Sequence, residues 1–456
     1  MDYAKDTRLG TEAIPKLMLQ LAVPSVIAQL INVLYNIVDR IYIGRIPEIG
    51  ATALTGVGVT FPIITLVSAF SSFVGSGGAP LAAISLGKGD RQRAEKILGN
   101  TFSMLILFAI ALTALFLIFK EPLLFLFGAS ENTIQYSLQY ITIYLYGTIF
   151  VQLALGLNPF ISSQGQAKTA MLSVLIGAVI NIVLDPVFIF VFGMGVRGAA
   201  YATVLSQAVS AAWVVRFLCS SKSSIRIRKG NLRLSGRIIG GIMALGISPF
   251  IMQSTESAIT IVLNHGLQTY GGDLYVGSMT IMQSVLQLLS VPISGFTQGV
   301  QPIISYNFGA QKFDRVKKTA RYLIGTTFLI SCCFTLTTIF FPGVYGSLFT
   351  SDAQLLGLVK QILPIYMFGM LIFGLQNGCQ SVFLGLGQAK ISVFIALLRK
   401  VFLLIPLAII LPHFFGVMGI YWSEPIADIT SATTATILFL IFFKRMLSVD
   451  YLKKLL

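Results

Sequence analysis

The chain is written twice. Gly77, Pro80, Gly87, Arg93 and Lys96 return as Gly299, Pro302, Gly309, Arg315 and Lys318, all at one displacement a little under half the chain length. Gly165-Gln166-Ala167-Lys168 returns at the same displacement as Gly387-Gln388-Ala389-Lys390. Two copies of one apolar unit can enclose a cavity that opens first to one side of a bilayer and then to the other. A transporter is therefore the first hypothesis to test.

Of the 456 residues, 55% are hydrophobic and only 11% are charged, with a mean hydropathy of +0.84. A soluble protein of this length has nowhere to hide so much apolar surface, so the apolar segments are expected to face lipid. The 42 glycines and 34 phenylalanines suit closely packed membrane helices. Stretches of about twenty apolar residues or more predict twelve helices, near 16–44, 54–86, 95–119, 133–158, 168–192, 196–219, 238–265, 274–307, 319–341, 354–385, 390–411 and 416–443. Prolines recur at similar depths in the two halves, Pro24, Pro62 and Pro80 against Pro249, Pro292 and Pro302, and predict matching kinks.

The net charge of +15 does not indicate nucleic acid, because the basic residues sit in short gaps between apolar runs. They crowd into alternate gaps: Lys88, Arg91, Arg93 and Lys96; Lys168; the run from Lys222 to Arg237; Lys312 to Arg321; Lys390; and Lys444, Arg445, Lys453 and Lys454. The positive-inside rule then places both termini in the cytoplasm. Six helices per half is an even number, so the copies point the same way and are expected to be related by an axis along the membrane normal. The polar stretch 220–237 is the natural joint, giving an amino-terminal lobe at 1–219 and a carboxy-terminal lobe at 238–456. The first sixteen residues contain no short apolar core with a cleavage site, so no secretory signal is expected. Cys219, Cys332, Cys333 and Cys379 lack CxxC spacing and read as packing residues. Gly87-Lys88-Gly89-Asp90 lacks the further glycine and the hydroxyl residue of a phosphate loop, so nucleotide binding is rejected.

Five carboxylates fall inside apolar segments: Asp39, Asp185, Glu256, Glu424 and Asp428. Each costs at least ~2.5 kcal/mol at the centre of a bilayer, which calls for a partner or a purpose. Tyr35 precedes Asp39 by one helical turn and Asn181 precedes Asp185 likewise, placing each pair on one face. Two carboxyls with an amide and a phenol in a dry pocket can bind a proton or a sodium ion and change charge when it leaves. The bland alternatives are that Arg40 or Arg45 neutralises Asp39, and that Asp185 makes a helix-end interaction beside Pro186. Arg399 and Lys400 face Glu424 and Asp428 on the next helix, which reads first as a structural ion pair and second as a proton-responsive network.

Taken together, these segments resemble the MATE (multidrug and toxic compound extrusion) family over essentially the whole chain. The resemblance rests on Pro24 with Gln29, VDRIYIG at 38–44, GSGGAPLAAISLGKGD at 75–90, NIVLDP at 181–186, GVRGAAYATVLSQ at 195–207 and QGVQPIISYNFGAQ at 298–311. The chain is most similar to the bacterial branch with DinF-like and MepA-like exporters. The resemblance implies an all-α membrane protein whose two six-helix lobes form a V around a central cavity. It implies export of cationic or amphipathic compounds against inward H+ or Na+. The family's cation cluster is matched by Tyr35, Asp39, Asn181, Asp185 and Thr203, and any sodium is expected at Asp39 and Asp185. Glu256 resembles an acid that NorM-like members use, but its partner on the tenth helix is replaced by a neutral residue around 373–377. Glu256, with Gln253 and Gln283, is therefore expected to meet substrate, or else to make a buried structural hydrogen bond. A monomer in a bacterial cell membrane, with no cofactor and no enzymatic activity, completes the expectation. The nearest rival is a flippase for lipid-linked saccharides, which would favour a strongly cationic cavity.

Overall fold

A computed structural model describes residues 8–449, and every described element is helical. Lys453 and Lys454, counted above among the carboxy-terminal basic residues, lie outside that range, as does the start of the polar amino terminus. Ten helices are long and apolar enough to cross a membrane: Ile14–Gly44, Thr52–Gly87, Arg91–Leu126, Ala167–Val191, Val196–Cys219, Gly236–Tyr270, Leu274–Gly309, Phe313–Phe340, Ala389–Phe415 and Val417–Met446. Two further spans are broken pairs, Ile134–Tyr146 with Thr148–Ser162 bent by 59° and Ala353–Met367 with Met370–Gly385 bent by 42°. Counting each pair once gives twelve, numbered below first to twelfth in chain order. The two broken spans are the fourth and the tenth, so the sequence repeat extends to where the helices bend.

The fold is all-α, as the apolar runs imply. Many large apolar side chains on the spans are exposed on the protein itself, among them Leu115, Ile118, Phe119, Leu440 and Ile441. Such a surface suits hydrocarbon rather than water. Pro24, Pro80, Pro249, Pro292 and Pro302 lie inside helices, whereas Pro62 starts one, just after a turn at Thr60.

The chain forms two compact units, one holding residues 8–11 and Ile27–Phe250, the other Glu12–Val26 and residues 251–449. The first and seventh spans are thus each divided between units, a few residues after Pro24 and directly after Pro249. The repeated glycines explain how each unit takes in its borrowed segment. In the first unit a Cβ at Gly77 would collide with the Ile242 carbonyl, and one at Gly246 with the Phe73 carbonyl. In the second, a Cβ at Gly299 would stand 2.6 Å from Ala22 Cα, and one at Gly295 2.6 Å from Val26 Cα. Only glycine permits backbones to approach this closely. Phe70 and Phe250 close the first contact edge-to-face, their ring centroids 5.0 Å apart.

The linker is strapped to the first unit rather than loose. Asn100 donates to the Arg233 carbonyl at 3.2 Å and accepts from the Ser235 amide at 2.7 Å. Ser103 donates to the Leu232 carbonyl at 2.8 Å, and the Ser224 amide donates to Gln164 at 2.7 Å.

Candidate cation-coupling site

The fifth span is α-helical through Pro186 and continues as a π-helical turn, Val187–Val191. Proline offers no amide hydrogen and crowds the preceding turn, so a widened turn here relieves both problems. Asp185 immediately precedes it and is fully buried, with Asn181 one turn earlier at 1% exposure. Asn181 Nδ2 donates to Asp185 Oδ1 at 3.4 Å. From the first span, Asp39 brings its carboxyl close enough to that of Asp185 for each to act electrostatically on the other. Two carboxyl oxygens attract each other only when something positive lies between them, a shared proton or a cation.

The rest of the cluster assembles around this pair. Tyr35, one turn before Asp39, has Gln207 of the sixth span within polar reach of its hydroxyl. Tyr140 lies 3.5 Å from the Thr203 hydroxyl and within electrostatic reach of both acids. Its ring stacks on Tyr144, with centroids 6.4 Å apart. Tyr35, Asp39, Asn181, Asp185 and Thr203 are therefore brought together in the first unit. From the sequence Tyr140 and Tyr144 read as aromatics more often packing than binding, and Gln207 was not singled out. Their signal was present, since Tyr140 and Tyr144 are one turn apart on the fourth span and Gln207 is one turn beyond Thr203 on the sixth.

Among the described residues no base pairs with either acid. Arg40, the nearest candidate, lies over the Phe61 ring at 4.3 Å instead. Asp39 Oδ1, Asp185 Oδ2 and Asn181 Oδ1 are buried and receive no hydrogen bond. Oxygens of this kind, from two carboxyls and an amide with hydroxyls nearby, fit a proton or a hard monovalent cation.

The second unit treats its acids differently. The eleventh span also contains a π-helical turn, Leu398–Leu404, and it carries Arg399 and Lys400. Arg399 Nε donates to Asp428 Oδ1 at 2.6 Å, and its terminal nitrogen donates to Glu424 Oε1 at 3.0 Å. The guanidinium lies 5.0 Å from the centroid of the Phe373 ring. Lys400 Nζ donates to Glu256 at 2.7 Å, its side chain 5% exposed against 59% for the glutamate. The twelfth-span acids thus make the ion pair read first from the sequence, and Glu256 has a lysine that spacing alone did not reveal. Gln253 and Gln283 are half-buried on the seventh and eighth spans.

The MatE family model matches twice, over residues 24–187 and 249–410, once in each copy of the repeat. The multidrug export protein MepA of Staphylococcus haemolyticus is 26% identical over 425 residues, covering 92% of each chain. Its counterpart in Staphylococcus aureus strain MSSA476 is 26% identical over 431 residues, covering 93% of each. A multidrug resistance MATE family transporter of the MOP superfamily, solved in an outward-facing conformation, superposes with a TM-score of 0.89 at 23% identity, covering 96% of this chain and 98% of that one. A crystal structure of MATE in the bent conformation gives a TM-score of 0.89 at 23% identity over 99% of this chain and 98% of that one. The twofold match, spanning well over half the residues and agreeing with the helix count and the internal repeat, makes this chain a member of the MatE family.

Proposed function

We propose that the chain is a secondary multidrug exporter of a bacterial cell membrane, working as a monomer with both termini in the cytoplasm. It expels small organic cations and amphipathic drugs in exchange for inward H+ or Na+. The relatives named as multidrug export proteins support the transport class. The observation that carries the coupling is the approach of Asp39 to Asp185 with, among the described residues, no base ion-paired to either.

On this reading the ion enters between the two carboxyls, held by Asn181 Oδ1 and the hydroxyls of Tyr35, Tyr140 and Thr203. Loading removes negative charge from a buried pair, and release restores it. The two states therefore differ in electrostatic energy, and the first span, which carries Asp39 and has Pro24 inside it, is the element that responds. Each elementary charge crossing the field contributes ~2.3 kcal/mol per 100 mV, so one or two ions drive modest accumulation. Glu256, with Gln253 and Gln283, supplies substrate contacts, and an organic cation there competes with the Lys400 ammonium. The repeated halves at 1–219 and 238–456 are the two lobes that alternate access.

The saccharide-lipid flippase is less favoured. Its pyrophosphate cargo needs uncompensated cations within the membrane, and Arg399 and Lys400 are both engaged by carboxylates. The test is uptake of ethidium into energised inverted vesicles under an imposed pH gradient and then an imposed sodium gradient. The wild-type chain is expected to respond to one of the two. Unaltered transport by both Asp39→Asn and Asp185→Asn would overturn the coupling site.

A further inference from the structure

Behind the Arg399 ion pair the second unit buries polar atoms that the pair does not employ. Asp428 Oδ1 accepts from Arg399, while its Oδ2 is buried and, among the described residues, has no hydrogen-bond partner. The same holds for the Ser431 hydroxyl and for both the oxygen and the nitrogen of the Gln376 amide. All three residues are 1% exposed or less. They belong to one junction of helices. Arg399 of the eleventh span reaches both neighbours, Asp428 of the twelfth at 2.6 Å and the Phe373 ring of the tenth at 5.0 Å. A Cβ at Gly369 would lie 2.8 Å from Asp428 Cβ, and further along the Phe383 and Phe439 rings meet with centroids 6.1 Å apart. Between those contacts the tenth and twelfth spans run side by side in the same direction. Gln376 follows Phe373, and Ser431 follows Asp428, by three residues. Each therefore stands about one turn, ~4.5 Å, beyond the guanidinium on its own helix.

The first copy of the repeat shows that the fold does not demand this. Gly195 and Gly198 return as Gly416 and Gly419, which sets Gln207 opposite Asp428 and Ser210 opposite Ser431. The packing agrees, since a Cβ at Gly147 would meet Val204 and one at Gly369 would meet its counterpart Pro425. Ser210 is satisfied, donating to the Ser173 carbonyl of the fifth span at 2.9 Å. It comes so near because Gly177 has no side chain; a Cβ there would collide with the Ser210 hydroxyl. At the repeat displacement of Gly177 the eleventh span has Arg399, and at that of Ala154 the tenth has Gln376. In the second copy a long side chain thus replaces the glycine, and Ser431 has no acceptor like the one Ser210 finds. An amide joins it where the first copy has only a methyl group.

We propose that this junction is a binding site for ordered water, held between Asp428 Oδ2, the Ser431 hydroxyl and the Gln376 amide. Polar groups buried this deeply are costly unless hydrogen-bonded. The three residues offer donors as well as acceptors, and water both donates and accepts, making about three hydrogen bonds at a buried site. A metal cation would satisfy the oxygens alone, and it would have to share the space with the Arg399 guanidinium. Water donating to Asp428 Oδ2 completes the hydrogen bonding of a carboxylate whose other oxygen Arg399 holds.

The experiment is a crystal structure of the full wild-type chain, grown from a lipid mesophase, at a resolution that shows ordered water. The expected result is a density peak at hydrogen-bond distance, about 2.7–3.2 Å, from Asp428 Oδ2 and from Ser431 or Gln376. No peak, or Ser431 and Gln376 bonded directly to protein groups, would overturn the site. A peak lying closer than a hydrogen bond to several oxygens would be a sodium ion and would overturn water as the occupant. Thermal unfolding gives a second reading with a definite sign. Ser431→Ala and Gln376→Leu are each expected to lower the unfolding temperature by about 2–4 °C, because each forfeits a hydrogen bond to the water. Dry, unpartnered groups give the opposite sign, since apolar replacements relieve their desolvation cost, so a rise in either variant would overturn the proposal. Both variants remove the same water, so the double variant is expected to lose less than the sum of the two, and full additivity would overturn a shared site.

Discussion

In the first unit Asp39 and Asp185 meet with no base between them; in the second, Glu424 and Asp428 grip two nitrogens of Arg399 while Glu256 holds Lys400. Both clusters sit beside a π-helical turn, and both are built from acids one turn or one helix apart. What differs is where the compensating charge comes from. The second unit carries its own cations on the chain, so its charge is fixed at all times. On the proposed reading the first unit obtains its cation from solution, so its charge changes with occupancy. A transporter needs an arrangement like the first unit's where it couples, and one like the second unit's where it merely has to hold charged helices together.

The largest expected effect tests the first half of that contrast. Asp39→Asn or Asp185→Asn should reduce ion-driven ethidium accumulation at least about tenfold, because the remaining acid alone no longer pays the cost of placing an ion in the membrane. Neither change should lower the unfolding temperature, since neither strands a basic partner.

Arg399→Met should have the reverse signature. It leaves Glu424 and Asp428 buried without a cation, a loss of about 3–5 kcal/mol in stability. Expression yield and thermal unfolding would register it, and adding Glu424→Gln with Asp428→Asn should restore most of the loss. A stable Arg399→Met single variant would mean that the second cluster is not structural.

A smaller, asymmetric effect is expected at the other ion pair. Glu256→Gln strands the buried Lys400 ammonium, whereas Lys400→Met leaves a glutamate that is more than half exposed. The first should therefore destabilise more than the second, and the second should tighten binding of cationic dyes in equilibrium titrations. The smallest effect belongs to Tyr140→Phe, which removes one hydroxyl beside Thr203. A loss of about 1 kcal/mol, or a several-fold weaker apparent affinity for the coupling ion, is expected with maximal transport retained.

Much of this contrast was legible beforehand, and for a definite reason. Tyr35 with Asp39 and Asn181 with Asp185 are one helical turn apart, so periodicity alone places each pair on one face. Glu424 with Asp428 follows the same logic. Lys400 with Glu256 does not, because the two belong to the eleventh and seventh spans and no local pattern links them. The widened turns after Asp185 and around Arg399 were also invisible, since a single extra residue in a turn leaves apolar periodicity almost intact. The break in the fourth span escaped notice because both of its halves are apolar, whereas the run at 354–385 is long enough to call for tilt or a bend. Gly77 and Gly299 announced themselves as a repeat, but only the structure revealed that each admits a segment from the first helix of the other copy.

That exchange of segments bears on how the protein can be made. A gene cut within 220–237 would yield one polypeptide missing the stretch that packs on Gly77, and another missing the stretch seated on Gly295 and Gly299. Each would expose bare glycine grooves to lipid until the missing piece arrived from the other. Split halves should therefore accumulate only when synthesised together, and a circular permutant opened at the linker should require its old termini to be joined before either half matures.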